Sequence, residues 1–250
     1  MMTDWSFQLY SARNFLPWDG ILKSIAEAGY TQVEGYGGVY EDPNALRAQL
    51  DAAGLTMPSG HFSVDILENR FDEAVDIAST LGVRLMVCPY LNPADRPTDA
   101  EGYSAFGRRL EAIGEKARAA GFDFAWHNHD FEFVALPDGS IPQKLIFDAA
   151  PRLGWEMDVA WVIRGGADPL AWIADYADRI VAVHVKDIAP AGENTDEDGW
   201  SDVGHGTVDW RGLVSTLKAK TPAKLFIMEH DSPSDYRRFA QRSIETVKAF

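Results

Sequence analysis

The chain has 250 residues, 46% of them hydrophobic, with a formal net charge of -15 and one cysteine. That length and apolar content suffice for a large core, while the negative charge, with Lys and Arg scattered, opposes a nucleic-acid backbone as partner. A lone cysteine excludes an internal disulfide, and no apolar run approaches the roughly 20 residues that span a bilayer. The opening MMTDWSFQLYSARN lacks a basic segment followed by an apolar one, so no secretory signal and a cytoplasmic location are expected. No membrane partner is expected, and a homo-oligomer is left open.

In chain order, SFQLY reads as a strand and PWDGILKSIAEAGY as a helix, with Ile21, Ile25 and Ala28 at helical spacing. TQVEGYG is the second strand, and DPNALRAQLDAAG the second helix, with Asp42 as N-cap, Pro43 in the first turn and Gly54 as C-cap. MPSGHF and RFDEAVDIASTLG form the third pair, VRLMVCPYL and DAEGYSAFGRRLEAIGEKARAAG the fourth. Cys88, inside that fourth apolar run, is expected to be a buried structural thiol. FDFAWHNH is the fifth strand, followed by a short helix near PQKLIFDAA; LGWEMDVAWV is the sixth, followed by DPLAWIADYAD. IVAVHVKDI is the seventh, followed by a long polar loop and DWRGLVSTLKAK; AKLFIMEHD and SPSDYRRFAQRSIETVKAF close the series.

Strict alternation of strand and helix implies parallel strands joined by right-handed crossovers. Eight such units at this length predict one closed (β/α)8 TIM barrel over residues 1–250, with no internal boundary. The competing open doubly wound sheet lacks its Gly-rich phosphate turn after the first strand; GYGGVY follows the second and does not have that fingerprint.

In a barrel of this kind the chemistry sits at the carboxyl ends of the strands, and all six histidines map there. His61 ends strand three, His127 and His129 end strand five, His184 is at the end of strand seven, His205 lies in the loop beyond it, and His230 ends strand eight. Glu132, Asp158 and Glu229 follow or end apolar strands, where an unpaired charge is costly. A divalent cation would remove that cost. Carboxylates with an imidazole suit Mn, Mg or Co, with Zn also compatible, and the absence of Cys-x-x-Cys excludes a structural zinc cage. Strand alternation aims Glu229 and Asp231 to one side and His230 to the other. Lys186 could neutralise an oxyanion or pair with Asp158 or Asp187. His61 and Trp161 are candidate substrate contacts, with Trp126, Phe131 and Trp200 as further apolar walls and Tyr36 and Glu34 as pocket residues. Gly204 and Gly206 would let the backbone approach a ligand closely, with His205 reaching the substrate; alternatively, that turn is a cap in which Asp209 starts a helix.

FQLYSARN, WHNHDFEF, MDVAWV, HVKD, GHGTVDW and MEHD, in this order along nearly the whole chain, resemble the sugar phosphate isomerase/epimerase family, the xylose isomerase-like TIM barrels. The resemblance implies one divalent metal held by Glu132, Asp158, His184 and Glu229, with Glu132 and Glu229 as the acid/base pair. His127 and His129 would orient substrate or relay protons. On strand five two arrangements stay open: Glu132 reaches the metal, or His127 ligates it and Glu132 handles substrate. The implied reaction is isomerisation or epimerisation of a sugar through an enediolate, by proton abstraction beside a carbonyl. The alternative on the same site is elimination, as in an inosose dehydratase or an enzyme of 3-oxo-glycosides. A non-catalytic sugar-binding barrel and an abasic-site endonuclease are the remaining readings, the latter opposed by the net charge.

Overall fold

The computed structural model describes residues 4–250. Eight parallel strands close into a barrel: β1 (Trp5–Gln8), β2 (Gln32–Gly35), β3 (Thr56–His61), β4 (Leu85–Cys88), β5 (Asp123–His127), β6 (Gly154–Asp158), β7 (Ile180–Val185) and, after a two-stranded ladder of β8 (Asp187–Ile188) with β9 (Trp200–Ser201), β10 (Leu225–Met228). The helices outside are α1 (Trp18–Ala28), α2 (Pro43–Ala53), α3 (Val64–Asn69), α4 (Phe71–Leu81), α5 (Ala100–Ala119), α6 (Pro142–Ala149), α7 (Val159–Arg164), α8 (Pro169–Tyr176), α9 (Trp210–Lys220) and α10 (Tyr236–Lys248). β1 pairs with β10 as well as with β2, so the barrel sheet has no open edge.

The expected capping chemistry sets several helix starts. The Asp42 side chain accepts from the Ala45 amide at 2.9 Å, Pro43 opens the first turn, and Gly54 closes the helix at φ 69°. Asp209 likewise accepts from the Gly212 amide at 3.1 Å. Strand six ends earlier than the sequence suggested. Asp158 turns its carboxylate onto the Trp161 amide, 2.9 Å away, and so caps α7; the segment VAWV is therefore helical, not extended. The α3 turn and the β8–β9 ladder are further elements that apolar periodicity did not signal, being too short to carry a period.

The alternation of strand side chains decides what fills the lumen. Leu85, Val87, Ala125, Ala182 and Ile227 cluster separately from the main core, which packs helices against the outside of the strands. Moving two residues along the same face toward the carboxyl end replaces Ala125 by His127, Ala182 by His184 and Ile227 by Glu229. Glu34, His61, Glu156 and Asp158 stand at neighbouring positions of the ladder and are buried. The lumen therefore has a small apolar floor beneath a charged layer.

Candidate active site

Above that layer opens a cavity of about 900 Å³, with Tyr10, Tyr36, His61, Tyr90, Arg96, His127, His129, Trp161, Glu229 and Asp231 among its lining residues. Tyr10 and Tyr90 are about one third exposed. Arg13 covers the Tyr10 ring at 3.7 Å, and Arg96 donates to the Tyr90 hydroxyl at 2.8 Å while lying 3.7 Å over Phe131. An aromatic rim around a polar floor suits a ligand with both C–H faces and hydroxyl groups.

The structure brings Asp158, His184 and Glu229 together, and their fourth neighbour is His127. One donor atom from each of the four lies within 4.8 Å of the others. Glu132 is not in this set. Its Oε2 accepts from the His129 amide at 3.0 Å, while Oε1 is buried without a hydrogen-bond partner. Burial pushes this carboxyl up to about 8, so Glu132 is neutral at pH 7. Of the two arrangements open for strand five, the convergent geometry supports His127 as the donor.

Lys186 is fully buried with its Nζ 2.8 Å from Glu229 Oε2, 3.4 Å from Asp158 Oδ2 and 2.9 Å from Asp231 Oδ1. Burial works against its charge, yet Asp231, Glu229 and Asp158 outweigh it and hold the ammonium protonated. For Glu229, burial is outweighed by Lys186 and His184, which keep it well below the carboxylate range. Asp158 goes the other way: burial dominates and raises it to about 6. Asp187, the other partner considered for Lys186, is used elsewhere. Its carboxylate accepts from the amides of Gly204, Gly206, Val208 and Ile188 at 2.8 to 3.2 Å.

The GHGTVDW turn thus wraps around Asp187. Any Cβ at Gly206 would collide with the Asp187 carboxylate and the Ile188 carbonyl. His205, expected as a substrate contact, is exposed in that turn and is not among the residues that line the cavity. His230 is fully buried, with its Nδ1 accepting from the Ser232 amide at 3.2 Å and its ring centroid 5.4 Å from that of Phe239.

Among the remaining histidines, His61 and His129 line the cavity and carry opposite charge states. Burial opposes charge on His61, but Glu34 and Glu156 overcome it and raise the ring to about 9, so it is an imidazolium at neutral pH. His129 sits against Tyr90 and Trp161, with ring centroids 4.8 and 5.2 Å away; burial and then Lys186 lower it to about 3. His127 is lowered by burial and then by His184. His129 and His127 are therefore neutral. Trp161 in turn packs on Trp200 with centroids 4.8 Å apart, and Lys186 Nζ lies 4.7 Å from the Trp200 ring centroid.

Sequence reasoning passed over Glu156 and Asn128. Glu156 shares the lumen face with Asp158 by the period of two, a signal present in GWEMD. Asn128 braces the end of β6: its Oδ1 accepts from Trp155 Nε1 and the Asp158 amide at 2.8 and 3.0 Å, and its Nδ2 donates to the Asp158 carbonyl at 3.1 Å. No short-range pattern distinguishes that role.

The donor set suits a divalent cation. Asp158 Oδ2 is buried without a hydrogen-bond partner. Glu34, Glu156, Asp158, Glu229 and Asp231 outnumber the cations Lys186, His61 and His184 in one poorly solvated space. Further positive charge would offset the cost of that imbalance.

The family profile described as "Xylose isomerase-like TIM barrel" matches residues 22–249, and the chain belongs to that family. Among curated proteins it is 28% identical over 191 residues to the rhizopine catabolism protein MocC of Rhizobium meliloti, covering 69% of this chain and 58% of that protein. It is 24% identical over 181 residues to the inosose dehydratase of Lacticaseibacillus casei, covering 64% of this chain and 60% of that protein. The chain thus spans about 60% of the length of these relatives. Among solved structures, a sugar phosphate isomerase/epimerase from Parabacteroides distasonis superposes with a TM-score of 0.82 at 21% identity, over 98% of this chain and 93% of the other. The IOLI protein with a binding zinc atom gives 0.72 at 17% identity, over 99% and 96%. These structural likenesses speak for the fold.

Proposed function

We propose that this barrel is a divalent-metal-dependent enzyme that removes a proton from carbon beside a carbonyl in a small sugar or cyclic polyol, and that the reaction ends in elimination of a β-hydroxyl as water. The convergence of His127, Asp158, His184 and Glu229 donor atoms within 4.8 Å at the lumen mouth carries this reading. These four residues would hold the cation, which as a Lewis acid would stabilise negative charge developing on the substrate carbonyl oxygen.

The residues of the chain supply the rest. Glu229 lines the cavity, is ionised, and is the base that takes the proton from the α-carbon. Lys186, 2.8 Å from Glu229, holds that carboxylate in place and adds positive charge beside the developing oxyanion. As the α-C–H electrons form the new carbon–carbon double bond, the β-C–O bond breaks. His61, an imidazolium lining the same cavity, gives its proton to the departing hydroxyl. The net change is loss of one water, with no oxidant or reductant required. Trp161 and Tyr90 would close over the C–H faces of the ring. The similarity to an inosose dehydratase supports an inosose as the first substrate to test.

Isomerisation or epimerisation is the second reading, favoured by Glu132. A neutral carboxyl next to the His129 amide could return a proton to the opposite face if the loop carrying it turned inward. A single assay series separates the readings. The purified protein is stripped with a chelator, reloaded with Mn2+, Co2+, Zn2+ or Mg2+, and supplied with an inosose, a 3-oxo-glucoside and free ketoses in deuterated water. The elimination reading expects metal-dependent appearance of an unsaturated ketone, with Glu229→Gln lowering the rate by roughly 10²- to 10⁴-fold. Deuterium incorporation without water loss would favour the second reading, and turnover indifferent to metal would refute both.

A further inference from the structure

We propose that Glu34 and Glu156 form a buried positioning pair that fixes which ring nitrogens of His184 and His127 face the cation site; this rests on the metal reading above. Glu34 Oε1 lies 2.7 Å from His184 Nε2, 3.0 Å from His61 Nε2 and 2.8 Å from the Gln8 amide nitrogen that donates to it. Glu156 Oε2 lies 2.8 Å from His61 Nε2, 3.1 Å from His127 Nδ1 and 3.2 Å from His184 Nε2. Both carboxylates, Gln8 and His184 are fully buried, so bulk water does not compete for these contacts.

A ring nitrogen facing an ionised carboxylate outside the donor set keeps its proton and cannot ligate, whereas one facing a carboxylate of the donor set is released when both turn to a cation. His184 is therefore held through Nε2, while Nδ1 faces the donor set, 2.9 Å from Glu229 Oε2 and 4.0 Å from Asp158 Oδ2. His127 is held through Nδ1, leaving Nε2. The opposite tautomer would set a lone pair against a buried carboxylate, leaving two acceptors unsatisfied. His61 stands between the two acids and offers its Nε2–H to both, which offsets their mutual repulsion.

The orientation is transmitted from β1. Gln8 Oε1 accepts from the Tyr10 amide at 3.1 Å, so the Gln8 NH2 group must point to Glu34. Backbone geometry at the end of β1 thus fixes Gln8, Gln8 holds Glu34, and Glu34 sets His184. Neither carboxylate lines the cavity. They act through the imidazoles, as orienting partners of metal-ligating histidines do generally.

The test uses the full chain with Glu34→Ala and the near-isosteric Glu34→Gln, both checked for fold by circular dichroism. In chelator-treated protein, ¹⁵N-histidine NMR should show a slowly exchanging His184 Nε2–H in the wild type. It should exchange markedly faster in Glu34→Ala, where only Glu156 Oε2 at 3.2 Å still faces that nitrogen, and stay slow in Glu34→Gln, whose amide oxygen can still accept. Mn2+ affinity, read from the electron paramagnetic resonance of free Mn2+, should fall roughly 10- to 100-fold in Glu34→Ala and less in Glu34→Gln. A His184 Nε2–H that exchanges as slowly in Glu34→Ala as in the wild type, or unchanged Mn2+ affinity there, would overturn the proposal. Should the wild type bind no Mn2+, the metal reading fails, and the histidine spectra of the metal-free protein still decide the role of Glu34.

Discussion

Replacing Glu132 by Gln separates a buried neutral acid from an ionised ligand. The Glu132 carboxyl is fully buried, and burial raises it from an ordinary 4.5 to about 8. A carboxyl raised in the folded state favours folding fully below the unfolded value and loses that contribution as pH rises through the folded one. Across this interval, at about 1.36 kcal/mol per pH unit, wild-type stability should fall by at most about 5 kcal/mol relative to Glu132→Gln, whose side chain cannot ionise. In a protein of this size that corresponds to roughly 10–20 °C in Tm. The assay is urea or thermal unfolding of both chelator-treated proteins from pH 4.5 to 8.5, and the curves should diverge steadily with the variant the more stable at the alkaline end. With His127 as the proposed fourth ligand, saturating Mn2+ should stabilise both proteins alike. Parallel pH curves would refute the neutral-acid assignment, and stabilisation by Mn2+ of the wild type alone would return Glu132 to the ligand set.

Lys186→Met should leave Asp158, Glu229 and Asp231 without their shared cation, destabilising the metal-free protein by about 3–5 kcal/mol in urea titrations, with part of the loss restored by a divalent ion. Glu197 is held down to about 2: burial works to raise it, but Arg238, with Nη2 2.8 Å from Glu197 Oε2, and Ser234 prevail. Its contribution, at most about 3 kcal/mol, is present above the unfolded value near 4.5 and lost as pH falls toward 2; Arg238→Ala should therefore shift the acid-unfolding midpoint upward and flatten stability over that range. Gly206→Ala should lower stability by about 1–3 kcal/mol, because its Cβ would meet the Asp187 carboxylate and the Ile188 carbonyl. Thermal melts check this last prediction, with an unchanged Tm counting against the packed turn.

Much of the site was legible because period-two alternation and strand ends are local properties. Asp158, His184 and Glu229 each end an apolar run, and parallel closure brings such ends to one rim whatever their separation in sequence. Glu132 stands apart from these donors for an equally physical reason. It lies five residues beyond His127, outside the ladder, where the path of a loop and not strand parity decides direction. The glycines that flank His205 serve the Asp187 turn, and the side chain stays outside the cavity lining.

Composition and periodicity alone determined the parallel barrel, the rim that gathers histidines and acids, and the Asp-capped helices, since each follows from neighbours within a few residues. Only the tertiary structure decided that His127 stands where Glu132 was expected, that Lys186 is shared by three carboxylates, and that His61 is charged while His129 is neutral. Those properties depend on burial and on partners drawn from other strands, and a chain order contains neither distance nor dielectric.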